Sequence, residues 1–529
     1  MITDQTFSEN ERSEAVSRLR DSYSQTWGPS LEDGPKIKVS AAVSTLASVY
    51  EKFRQAMEYN EPHLLRRAAT ERILSRRLRG DSNSRLVSEG LVNELIRGRY
   101  LKNDFYPESL LTEAGRIVEK YRRVLHQKDV STTDDDFSFL MRLASAEIEE
   151  FLVPPAKDDA LANLMIESIR ESAILDDPSL TEDQKSIQLR IAVYKNLLKL
   201  DRAMLEFNIF ELFYPGWKAH GESHLEEVSM GLPKLRESIQ RILEYPLAGS
   251  LSALIRGYTS PFILLQDALE REGTVVLTDR TTLARAVSSV YERRLDRERD
   301  RLATTTTRAL IYIFLTKAVL SFAFELPAEG LLYGGVRMLP FVINFIFPPF
   351  LLFLLTLSMP LPGRSNADRV IAAAKEAIFG DGSVFSQQNR LEVKKRGFWV
   401  SLALFAIYLL TFFLGFGTAS YLLTMIGFTP FAIVLFLFYT SVVTYFGFKV
   451  RDSSKELLMA GGRETVGSVI VEFFALPFLR AGKVVSAGLA RFNFLMLFVS
   501  LLVEAPIQIL LEFLEEWVRF AREKREEVY

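Results

Sequence analysis

Hydrophobic and polar positions change their pattern at about residue 308. Before it, apolar residues recur at three- and four-residue steps among many charges, the period of amphipathic helices. Beyond it, long apolar runs alternate with short basic stretches. The longest run, 397–448, contains no Asp, Glu, Lys, Arg or His. As helix it would reach about 75–80 Å, two crossings of a ~30 Å hydrocarbon core with a turn between them. Lys394, Lys395 and Arg396 precede it, and Lys449 and Arg451 follow it. Bases at both ends predict a hairpin that enters and leaves on the cytoplasmic side.

Two further apolar runs precede this hairpin, so spans are predicted at about 309–326, 339–357, 398–416 and 428–448 within a membrane domain covering 309–464. The loop after the first span holds one base, Arg337. The loop after the second, 358–397, holds Arg364, Arg369, Lys375, Arg390, Lys394, Lys395 and Arg396. The contrast places the first loop outside and the second in the cytoplasm. Val370, Ile371, Ala374 and Ile378 within that second loop predict an amphipathic helix on the membrane surface. Segments 465–479 and 492–506 are each short of a full crossing, with Arg480, Lys483 and Arg491 between them. They predict a re-entrant or short spanning hairpin over 465–506, followed by an amphipathic cytoplasmic tail helix at 507–529.

The first half reads as helices throughout. Residues 1–36 are polar and predict a disordered tail; 37–282 predict a cytoplasmic helical bundle, and 283–308, with RRLDRERDR at 293–301, a charged stalk. Val39, Val43, Leu46, Tyr50, Phe53 and Met57 form a short heptad, coiled-coil-like seam. Pro107 opens a helix. Thr181 and Gln184 predict a capping box before a long helix carrying Ile187, Ile191, Tyr194, Leu198, Leu205 and Leu212 on one face, and Ser223 with Glu226 repeats the signature. The only strand candidate is GTVVLT at 273–278. The predicted fold class is all-α, a cytoplasmic helical bundle followed by a polytopic α-helical membrane domain.

Composition narrows the chemistry. With no cysteine among 529 residues, disulfides, thiolate metal sites and cysteine nucleophiles are excluded. The first twenty residues lack the apolar core of a secretory leader, so the expected location is the cell (inner) membrane, with N- and C-termini both cytoplasmic. The net charge of −2 averages over unlike regions. Residues 62–102 carry ten bases against four acids, whereas 129–183 are acidic. Arg66, Arg67, Arg72, Arg76, Arg77 and Arg79 are a candidate patch for an anionic partner; the alternative is that basic and acidic segments face each other inside the bundle. No nucleic-acid-binding pattern accompanies the arginines, which disfavours nucleic acid.

Polar groups inside apolar runs are the other candidates, since such groups are costly in lipid unless paired or hydrated. Lys317, Asn344, Glu472 and Glu504 are nominated as a polar cluster, with Lys317 paired to Glu504 or Glu472 and a purely structural salt bridge as the alternative; Glu325, two residues before Pro327, is a further polar group near the outer end of the first span, with exposure at the interface as its alternative. Pro348-Pro349 predicts an interruption of the second span that frees the carbonyls of Asn344 and Phe345. Gly482 and Ser486 have the spacing of a close helix approach, which a flexible turn explains equally well. His220 and His224 lack a third ligand, and no catalytic, metal or cofactor motif is found. No catalytic residue, metal or cofactor is therefore assigned.

LTKAVLSFAFELP, NFIFPPFLLF, EFFALPFLRAGK and the EAP…EFLEEW tail resemble an uncharacterised family of bacterial multi-pass membrane proteins. The resemblance covers the membrane half only. It implies a membrane protein with a cytoplasmic helical domain and carries no activity. The expected function is a membrane-anchored scaffold that recruits a protein partner or self-associates, with lipid as its other contact. The alternative is a transporter, channel or insertase-like factor acting on an ion or small molecule through the polar groups of the membrane domain.

Overall fold

A computed structural model of the chain describes residues 2–25, 35–39, 61–80, 83–128, 135–357, 363–380, 382–392, 398–454, 458–459 and 475–486. The described residues are overwhelmingly helical. Three helices are long and apolar enough to cross a membrane: Met338–Leu357, Phe398–Met425 and Pro430–Val450. The 309–326 stretch lies at the end of a 41-residue helix, Arg280–Leu320, and in the turn after it. Asp279 starts that helix by accepting the backbone N–H groups of Thr281 and Thr282. At 1.5 Å per residue it is about 60 Å long, so the charged stalk and the apolar run form one rigid rod.

The globular part has two apolar cores. One gathers Tyr121, Phe139, Phe207, Phe210 and Trp217 from helices between residues 61 and 243. The other joins Leu161, Val193, Phe262 and Val287 with Leu19 from the first helix, Ile2–Ser24. The apolar helices are the reverse: Phe405, Leu410, Phe413 and Val434 are exposed.

Several expectations change. The first residues form the helix Ile2–Ser24 rather than a disordered tail, because Ala15 and Leu19, four apart, insert into the core. The loop helix, Arg364–Phe379, belongs to the globular core: Val370, Ala373, Ala374 and Ala377 are buried there beside Val287 and Phe262. Its apolar face is covered by protein, which removes the reason for it to lie on a membrane surface. The segment 273–278 is a 3-10 turn, Gly273–Leu277, with no strand beside it among the described residues to supply hydrogen bonds. Among the described residues the strands are instead Ala173–Asp176 and Asn389–Glu392, paired in parallel, with Leu175 opposite Leu391. Buried Glu376 shapes the approach to the second strand by accepting the N–H groups of Val384 and Phe385.

The capping box at Thr181 is present, but its helix stops at Leu197. Lys199 takes a left-handed φ of 54°, and Asp201 caps a second helix, Arg202–Phe213. That break takes Leu212 off the shared face and leaves it exposed. Ser223 falls in a 3-10 turn, so the helix Leu225–Leu243 starts at His224 without a side-chain cap. Helix Met338–Leu357 runs through Pro348-Pro349 without interruption. Pro340, Asn344, Pro348 and Leu352, each four apart, are buried along one face of it, and that packing holds the helix where its backbone lacks donors. Residues 475–486 are helical through Arg480 and Lys483, so no turn lies there. Apart from Val39 the heptad seam, and with it most of 465–506 and the tail helix, lies outside the described residues.

Candidate functional site

The long helix does not end cleanly. After Leu320 the chain makes a π turn, Ser321–Glu325, and continues as Leu326–Tyr333. The Leu326 N–H reaches back five residues to the Ser321 carbonyl. This turn decides which side chains meet. In a regular α-helix Lys317 and Glu325, eight residues apart, would point about 80° away from each other. One extra residue in the turn brings them within about 20° of the same line.

The two consequently form a buried ion pair, Lys317 Nζ to Glu325 Oε2 at 2.9 Å, with the two residues 1% and 2% exposed. Ser321 Oγ donates to the same oxygen at 2.7 Å. From Met338–Leu357, Asn344 Nδ2 donates to the other carboxylate oxygen. From Pro430–Ser454, the Tyr439 ring lies under the ammonium, 4.3 Å from Lys317 Nζ to the ring centroid. Three apolar helical segments thus converge on one ion pair. Near the ends of these segments Thr429 donates to buried Glu329, and Arg337 Nη1 donates to the Gly427 carbonyl at 2.7 Å.

Lys317 and Asn344 are therefore brought together by Glu325, which sequence reasoning placed near the outer end of the first span. Regular helical geometry hides Glu325 from Lys317. The available signal was the series Lys317, Ser321, Glu325 at four-residue steps within an apolar run. Glu472 and Glu504, the partners expected for Lys317, lie outside the described residues.

Four of the six arginines of the patch, Arg66, Arg67, Arg76 and Arg77, are directed at the chain's own carboxylates. Arg66 makes a two-pronged bond to Glu149, at 2.8 and 2.5 Å. Arg67 holds Glu71 at 2.5 Å and lies 2.7 Å from Asp201. Arg76 and Arg77 share Glu94. Arg79 lies over the Phe137 ring, 5.3 Å from its centroid, and Arg72 is engaged as well. The acidic segment is answered in the same way: Lys120 pairs with Glu147 at 2.5 Å, Arg236 with Asp136 at 2.8 Å, and Lys218 with Glu150. Burial is the dominant influence on the acids. It pushes Glu150 up to about 7 despite Lys218, and burial followed by Asp159 and Glu270 pushes Asp158 up to about 6.

A cavity of about 300 Å³ is lined by Ile191, Leu200, Leu205 and Leu243, with Lys195 and Glu244 at its polar edge. It lies where the two apolar cores meet, since Ile191, Leu200 and Leu243 pack against both. Among the described residues no group of His, Asp or Glu side chains has the arrangement of a metal site. Compared with protein-family models, curated proteins and solved structures, the chain matches none.

Proposed function

We propose that the chain is a multi-pass protein of the cell (inner) membrane that anchors a cytoplasmic helical domain and presents it to a protein partner or to a second copy. The observation that carries this reading is how the globular core is assembled. Segments before, between and after the apolar helices all contribute to it. Tyr291 on the long helix accepts a hydrogen bond from Asn366 at 3.2 Å, and Asn366 in turn accepts the Met459 N–H at 3.0 Å. Met459 is itself buried in the same core as Val370. A domain tied at three points to its anchor is held in a fixed attitude to the bilayer, as a docking platform requires. The partner surface on this reading is not the arginine patch, where Arg66, Arg67, Arg76 and Arg77 are paired with carboxylates of the same chain. Exposed Phe213, Leu212 and Met230 are better suited to a protein contact.

Crosslinking in native membranes, followed by identification of what is captured, tests the reading. The expected result is one recurrent protein partner, lost when Phe213 and Met230 are both changed to Ser. A second reading, transport of an ion or small molecule, is favoured by the ion pair buried between apolar helices and by the π turn beneath it. Capture of no protein, together with solute flux in reconstituted vesicles that Glu325→Gln abolishes, would replace the first reading by the second.

A further inference from the structure

The carboxylate of Glu325 is fully supplied with donors, but one of them is only half used. Asn344 is completely buried; its Nδ2 donates to Glu325 Oε1, and its Oδ1 has no hydrogen-bond partner among the described residues. A buried polar atom left in this condition costs about 1–3 kcal/mol. A serine or threonine hydroxyl would supply the same donor without stranding an amide oxygen. What an amide offers in addition is two ends of opposite polarity and nearly the same shape. Turned over about its last bond, Asn344 presents oxygen where nitrogen stood. That oxygen cannot face a carboxylate, but it accepts a hydrogen bond from a carboxylic acid.

Of the remaining neighbours, Ser321 suits both states, and Lys317 keeps only part of its support in the protonated one. Ser321 Oγ can rotate its hydroxyl hydrogen. Lys317 loses its counter-charge when Glu325 is neutral, yet keeps the face of the Tyr439 ring. Among the described residues the groups facing Glu325 are Lys317 on the long helix, Ser321 in the π turn, Asn344 on Met338–Leu357 and Tyr439 on Pro430–Ser454. Glu329, one turn further on, is occupied by Thr429.

We propose that Glu325 and Asn344 form a reversible proton-binding site among the apolar helices. One proton from water adds to Glu325 Oε1 and converts the carboxylate to a carboxylic acid. The Asn344 amide turns over to accept the new O–H, and the site passes from net zero to net +1, carried by Lys317. No other reactant is needed. The inference does not depend on which partner or solute the protein handles.

The test is infrared difference spectroscopy of the full chain in lipid vesicles, with glutamate and asparagine isotopically labelled in separate samples. On acidification a protonated-carboxyl band should appear that is absent in Glu325→Gln, and an asparagine amide band should shift with the same midpoint and vanish in Asn344→Leu. A carboxyl spectrum identical in wild type and Glu325→Gln overturns the proposal, as does a Glu325 titration with no asparagine response. If Glu325→Gln fails to fold, the wild-type asparagine band decides alone: a shift that Asn344→Leu removes supports the site, and its absence overturns it.

Discussion

Lys317 and Glu325 each make sense only in the presence of the other. Removing one member of a buried ion pair strands the remaining charge and typically costs 3–5 kcal/mol, whereas replacing both with apolar side chains is often close to neutral. Lys317→Met should therefore lower resistance to denaturant strongly, and Lys317→Met with Glu325→Leu should recover most of the loss. Unfolding of the purified protein in detergent, followed by tryptophan fluorescence, measures both; additive losses would show that the pair is not coupled. Lys317 and Asn344 were legible as polar residues in apolar runs, but their common partner was not, because only the extra residue of the π turn rotates Glu325 onto their side. Asp158 provides a pH-dependent case. Its pKa of about 6 lies above the ordinary 3.8, so the native state binds the proton more tightly than the unfolded chain. Its contribution is complete below about 4 and is lost as pH rises through 6. Asp158→Asn keeps an oxygen for the Gln266 N–H, which donates at 3.1 Å. The variant should match wild type near pH 4 and be more stable at pH 8, on the order of 1–2 kcal/mol after allowance for partial exposure. Thermal midpoints across that pH range check it.

Among the elements, close helix approach is the most exacting requirement. A Cβ built on Gly482 would lie 2.1 Å from the Ser441 carbonyl oxygen and 2.7 Å from Tyr445 Cβ. Of the two explanations for the small residues around it, the contact with Pro430–Ser454 is the one observed. Gly482→Ala should cost about 1–3 kcal/mol through overpacking. Gly417→Ala, which meets nothing within 4 Å, should not lower stability. The thermal midpoints of the two variants form the comparison, and equal values would show that the helix 475–486 is not seated against Ser441. Local signals elsewhere had uneven reach. The Thr181 capping box was readable because all its parts lie within four residues. The break before Asp201 was not, because the apolar period continues across Leu198 and Leu205 while the backbone turns at Lys199.

At the scale of the whole molecule, the globular region is discontinuous along the chain. Arg364–Phe379 and Asn389–Glu392 return between two apolar helices to complete a core begun at Ala15 and Leu19 in the first helix. The absence of cysteine makes this directly testable. Asp176 and Glu392 are exposed register partners on the parallel strands. In a variant carrying Asp176→Cys and Glu392→Cys, a short bismaleimide should link the two positions within one chain in native membranes. Absence of that link, with both thiols reactive, would return the 358–397 loop to the membrane surface. The hydrophobic pattern alone determined that the protein is helical, that its second half holds helices apolar enough to cross a membrane, and where most helices lie, because each depends on residues within a turn or two of one another. Tertiary structure alone decided that the loop helix joins the globular core, that Arg66, Arg67, Arg76 and Arg77 face carboxylates of the same chain, and that Lys317 meets Glu325. An amphipathic face specifies that it must be covered and a charge that it must be balanced, but neither carries the address of its partner.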